Sequence, residues 1–168
     1  MHEDSQSPKP HVDPYVCQAD GHQRLDWIGQ MELAVILDSS ATAGQLTVVE
    51  GKAGKGDASP VHVHVNDDEA FLLLEGSMTV WVGDQRVTLG RGGVGFLPKG
   101  IPHAFRFDSP SRALIITTPA GQEGFFRSVG WDLSEPKPDG WAISTEALGQ
   151  AAAAHGIRTV GPPHGLDD

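Results

Sequence analysis

One cysteine, Cys17, stands among 168 residues, so no disulfide can form within the chain and packing must hold the fold. A lone thiol of this kind suits a reducing compartment. Long apolar runs are missing too. No stretch approaches the ~20 residues that a membrane-spanning helix needs. The opening segment MHEDSQSPKPHVDP is polar and lacks the apolar centre of a signal peptide. The expectation is a soluble, cytoplasmic protein with no membrane partner. Positive charge is scarce: 12 Lys and Arg face 22 Asp and Glu, for a formal charge of −10. So acidic a surface repels phosphate backbones and argues against a nucleic-acid partner. There is no helix-turn-helix pattern and no internal repeat at a solenoid period.

Turn formers are plentiful, with 21 glycines and 12 prolines, as many short strands would require. The length fits one compact domain. Apolar or β-branched segments recur at 31–37, 45–51, 61–65, 69–76, 77–83, 85–90, 94–98, 103–107 and 112–119, with turn-like sequence between them. Strands spaced in this way predict an all-β sandwich or barrel. Residues 1–23, with Pro8, Pro10 and Pro14, read as an extended or disordered N-terminal arm; 24–120 read as the β-barrel. Residues 121–168 read as a helical extension packed on it. In that extension, 121–131 is an amphipathic helix with Phe125, Phe126 and Val129 on its apolar side. Residues 144–156 form a second, capped by Ser144 or Thr145 and stopped by Gly156. The final GPPHGLDD reads as a frayed tail.

The chemistry concentrates in two places. VHVHV (61–65) alternates with period 2, which puts His62 and His64 on one face of a strand. Glu69 opens the next strand after a tight turn and shares its parity with Phe71 and Leu73, so a carboxylate returns beside an apolar wall. His103 begins a later strand, behind Pro98, Gly100 and Pro102 that bend the chain. Three neutral imidazoles and one carboxylate suit a single divalent transition metal: Fe, Mn, Ni, Co, Cu or Zn. The expected ligands are therefore His62, His64, Glu69 and His103, with coordination positions left open for substrate or water. Phe71, Leu73, Met78, Phe96, Phe105 and Ile115 are candidates for a substrate pocket, against the plainer reading that they fill the core. His2, His11, His22, His155 and His164 have no such context. The run AFLLL (70–74) is apolar on both faces, so its outer face must meet the C-terminal helices or another subunit. A homodimer is the expected assembly.

From Gly56 the spacing is G-x5-H-x-H-x4-E-x6-G, and from Gly92 it is G-x5-P-x-G-x2-H. These resemble the two motifs of the cupin superfamily, which often ends its second motif with Asn where Phe107 stands here. The resemblance covers about residues 31–119. With TPAGQEGFFRSVG and HGIRTVGPP added, the chain is similar to the small single-domain bacterial cupins of the quercetin 2,3-dioxygenase-like type. That resemblance implies a double-stranded β-helix, a jelly-roll barrel with short C-terminal helices, commonly dimeric. In active members a 3-His-1-Glu metal binds a flavonol's enolate oxygen, the Glu takes the hydroxyl proton, and dioxygen cleaves the ring with release of carbon monoxide. Carried across, His62, His64 and His103 would be ligands, and Glu69 both ligand and catalytic base. The implied function is a metal-dependent dioxygenase acting on an aromatic or enolisable small molecule. The alternatives are a non-redox metal-dependent cyclase, isomerase or lyase of a natural-product pathway, or a cupin that binds a small ligand without turnover.

Overall fold

Alternation of apolar and polar residues decides which side of each strand turns inward, and the structure, a computed structural model describing residues 12–166, follows it closely. The elements in chain order are β1 (Gln23–Asp26), β2 (Glu32–Leu37), α1 (Ser39–Thr42), β3 (Thr47–Ala53), β4 (Pro60–His64), β5 (Asp68–Glu75), β6 (Met78–Val82) and β7 (Gln85–Leu89). Then come β8 (Val94–Leu97), β9 (His103–Phe107), β10 (Ser111–Thr118), α2 (Gln122–Val129), β11 (Trp131–Asp132), α3 (Thr145–Ala154) and β12 (Ile157–Pro163).

Two antiparallel sheets face each other. One runs β11-β1-β2-β3-β10-β5-β8 and the other β12-β4-β9-β6-β7. Their inner faces share a core of Leu25, Leu33, Val49, Phe71, Leu73, Met78, Val80, Leu97, Phe107 and Ile115. Trp27 joins it edge-on to the rings of Phe125 and Phe126, which docks α2 against the barrel. Gly76, at φ +85°, makes the turn between β5 and β6. A Cβ there would collide with Ser111 Oγ and the Pro110 carbonyl, so glycine is required twice over.

The nine strands read from sequence are all present, within two residues at each end. Other expectations change. β1 was not read as a strand, and it pairs with β2 and with the two-residue β11. The turn-like stretch after Leu37 contains α1, which Asp38 caps by accepting from Ser40 N and Ala41 N. Of the expected N-terminal arm, residues 1–11 lie outside the described residues, as do His2 and His11, and Gln23 already belongs to β1.

The largest correction concerns the tail. Ile157–Pro163 is an edge strand paired with β4 and takes in 161–163, the start of the expected frayed tail, so the segment after residue 120 is not helical throughout. Proline is tolerated there because an edge strand has one side free of ladder hydrogen bonds. Beyond it, His164 stacks on Trp81 at 4.1 Å, and Arg106 donates to the Gly165 carbonyl. No helix among the described residues is long and apolar enough to cross a membrane.

Candidate metal centre

Sheet pairing brings the predicted ligands together. β4 lies beside β9 with His62 directly opposite His103, and His64 follows two residues on with the same parity. Glu69 comes from the facing sheet, on β5, between Thr117 of β10 and Leu97 of β8. The turns that deliver Glu69 and His103 are clamped to each other: Lys99 N donates to Asp68 Oδ1, and Gly100 N donates to the His64 carbonyl at 2.8 Å. Gly100, at φ +80°, permits that turn. The two sequence motifs are thus one hydrogen-bonded unit in space.

His62, His64, Glu69 and His103 are all buried, and one ligand atom from each lies within 4.8 Å of the others. Donors about 2.0–2.2 Å from a shared ion sit at most about 4.4 Å apart, so a small contraction would close the set around a metal. His103 Nε2 is 3.3 Å from Glu69 Oε2, and His64 Nε2 is 3.9 Å from it. Among the described residues these three atoms have no hydrogen-bond partner, an arrangement that costs free energy unless something occupies the centre.

The outward atoms are all engaged. His62 Nδ1 faces the Pro60 carbonyl at 2.8 Å, His103 Nδ1 the Ile101 carbonyl at 2.9 Å, and His64 Nδ1 the Asp67 carboxylate at 2.6 Å. Each partner can only accept, so each Nδ1 carries the hydrogen and each Nε2 lone pair turns inward. Glu69 Oε1 accepts from Gln122 Nε2 at 3.0 Å, which leaves Oε2 for the centre.

Electrostatics agree with the geometry. Burial pushes His62 down to about 4, opposed by the charge of Glu69, so it is a neutral imidazole with its lone pair available. Burial also lowers His64, but the Asp67 hydrogen bond and the charges of Glu69 and Asp67 carry it above its ordinary value. Burial opposes ionisation of Glu69, yet contact with His103 and the charges of the three imidazoles hold it down at about 2. It is a carboxylate at any ordinary pH. The donor set suits a divalent ion of the Mn-to-Zn row.

The sequence profile of the cupin domain family matches residues 46–118, a span that holds all four of these side chains. The chain carries a cupin domain. Over 118 residues this cupin is 32% identical to a quercetin 2,3-dioxygenase of Bacillus subtilis, a match covering 70% of the chain and 35% of that protein. The chain therefore spans about a third of the length of that relative. Among solved structures it resembles an RmlC-like cupin from Shewanella frigidimarina, with TM-score 0.58 and 18% identity over 66% of this chain and 96% of that one. It also resembles KdgF from Halomonas sp., with TM-score 0.57 and 18% identity over 63% and 95%. At this identity the likeness is one of fold.

The pocket candidates divide. Phe71, Leu73, Met78 and Ile115 point into the cupin barrel and are at most 8% exposed. Phe105 is half-buried, with its ring 5.1 Å from Phe71. Phe96 does not line the interior. It is 60% exposed, because the alternation of β8 turns Val94 and Phe96 outward and Leu97 inward. Sequence reasoning passed over Asp67, Thr117, Gln122 and Glu123. Asp67 had a signal, an acid three residues after His64 in the turn; Gln122 had none, since it lies 53 residues from Glu69.

Proposed function

We propose that the chain is a metal-dependent cupin enzyme of quercetinase-like type, a dioxygenase acting on an aromatic or enolisable small molecule. The observation that carries this reading is the convergence of His62, His64, Glu69 and His103 with every outward atom already engaged. The 32% identity with a quercetin 2,3-dioxygenase supports the reaction class. A divalent transition ion held by the four side chains would supply Lewis acidity toward an enolate oxygen and a route for dioxygen.

The chain's own residues then have distinct tasks. His62, kept neutral by burial, and His64 and His103, locked by their Nδ1 partners, present lone pairs with their tautomers already set. Glu69, the one carboxylate at the centre, is the group that accepts the enol proton. Because the carboxylate is so strongly held ionised, it is a weak base and takes the proton only as its contacts with the imidazoles loosen. Phe71, Leu73, Met78, Phe105 and Ile115 form the apolar wall against which a flat ring would lie, excluding water from the charged centre.

The working unit in this reading is a cytoplasmic homodimer. On the outer face of the larger sheet, Leu72 sits between Leu114 and Val94, and Ala70 between Ile116 and Phe96. Val94 and Phe96 are 62% and 60% exposed, an apolar surface of the kind subunits bury. A monomer by light scattering across micromolar concentrations would remove this assembly.

Elemental analysis after metal-replete expression, followed by oxygen uptake with a panel of flavonols and related enols, tests the function. A stoichiometric transition metal and substrate-dependent oxygen consumption are expected. Absence of metal would refute the reading. Turnover that survives strict anaerobiosis would place the reaction with the non-redox cyclases, isomerases or lyases, and tight ligand retention without product would make it a binding protein.

A further inference from the structure

Gln122 opens α2 and is 9% exposed, with Nε2 donating to Glu69 Oε1. A carboxylate only accepts, so the amide nitrogen must face it, and that settles which way the carboxamide is turned. Its other end, Oε1, is buried with no hydrogen-bond partner among the described residues. A side chain kept for packing alone would not bear this cost, because methionine or leucine fills a similar volume with no unpaired acceptor. The bond to Glu69 is what distinguishes glutamine from either.

We propose that Gln122 is a positioning residue for Glu69: its amide occupies Oε1, so that the carboxylate offers the metal Oε2 alone. The inference rests on the reading of the four side chains as a metal site. A carboxylate can hold a transition ion through one oxygen or two, and engaging Oε1 opposes the second mode. One more coordination position is then kept for a substrate oxygen. Gln122 is well placed for this because its neighbour anchors the start of the helix. Glu123 accepts from Ser39 N, Ser39 Oγ, Thr47 Oγ1 and Gly121 N, tying the first turn of α2 to α1 and β3. The amide therefore approaches Glu69 from a fixed backbone.

The test is Gln122→Met, measured in three ways on the full chain with Co(II) as the probe ion. Thermal unfolding of the metal-free variant should come at a lower temperature than in the wild type, since Glu69 Oε1 is left buried without its donor, a loss that removing the half-paired amide offsets only in part. Co(II) affinity, by competition with a chromophoric chelator, should fall about tenfold, the low end for loss of an outer partner of a ligand. The visible absorption of bound Co(II) should weaken, because a freed Oε1 raises the coordination number. Unchanged affinity, an unchanged Co(II) spectrum, or undiminished stability of the metal-free variant would each overturn the role of Gln122 while leaving the metal site standing. Failure of the wild-type protein to take up Co(II) in the same titration would remove the metal site, and this inference with it.

Discussion

Replacing Asp67 with asparagine asks how far metal binding depends on a charge that is not itself a ligand. Asp67 Oδ2 accepts from His64 Nδ1 at 2.6 Å, with the two side chains 13% and 1% exposed. It is a principal reason that His64 lies above its ordinary pKa despite burial. The electron density that favours a proton on Nε2 favours a metal ion there equally. Asparagine keeps an acceptor at the same reach, so the tautomer survives and only the charge is lost. A hydrogen bond involving a charged group contributes ~1.5–3 kcal/mol and a neutral one ~0.5–1.5 kcal/mol. A difference of about 1.4 kcal/mol corresponds to tenfold in affinity. Near pH 8, competition against a chelator should therefore show Asp67→Asn binding metal about tenfold more weakly than the wild type. The gap must narrow on acidification. Wild-type His64 takes up its proton at a higher pH than the variant's, and below that point its affinity falls about one decade per pH unit. A gap that is absent near pH 8, or that widens as pH falls, would refute the coupling of Asp67 to the metal through His64.

His62→Ala or His64→Ala should cut metal content several-fold by elemental analysis while circular dichroism still reports a folded barrel, since the core does not depend on the ion. Full occupancy in either variant would show the assigned site to be wrong. In the metal-free protein, His62 makes stability depend on pH, because its pKa is about 4 when folded and near 6.5 when unfolded. The unfolded chain therefore binds the proton first, and stability falls as pH drops from about 6.5 toward about 4, by at most ~3 kcal/mol. The raised His64 has the opposite sign, contributing stability at low pH that is lost as pH rises through its folded pKa. Urea midpoints between about pH 5 and 7, where Glu69 is ionised in both states, should fall less in His62→Asn than in the wild type. Equal slopes would contradict the assignment. Glu123→Ala would leave Ser39 N, Gly121 N and two hydroxyls without their acceptor. A cost of ~3 kcal/mol, or about 10 °C in Tm for a chain of this size, is expected by differential scanning calorimetry. A loss under about 2 °C would mean that the network does not anchor α2.

The nine strands were legible because each carries its own signal: a short apolar or alternating run closed by Gly, Pro, Asn or Asp. β1 and β12 lacked it. QRLD holds one apolar residue, and IRTVGPP ends in two prolines, so neither is a strand except through its partner. Glu32 to Val35 supply that partner for β1, and Pro60 to His64 for β12. Phe96 was misplaced as a pocket residue because VGFLP is apolar at neighbouring positions, and only the pairing with Ala70 shows which of them faces out.

The sequence by itself determined the barrel class and the identity of four metal-binding candidates, because the H-x-H pair, the Glu five residues after it and the proline-bent His are set by local period and turn chemistry. It could not determine what stands behind them. Asp67 at His64, the carbonyls of Pro60 and Ile101 at His62 and His103, and Gln122 at Glu69 depend on contacts between side chains and backbone that have no spacing rule. Only the tertiary pairing of β10 with β5 sets Thr117 opposite Glu69 and so starts α2 beside it, with the amide that decides which oxygen of Glu69 turns toward the histidines.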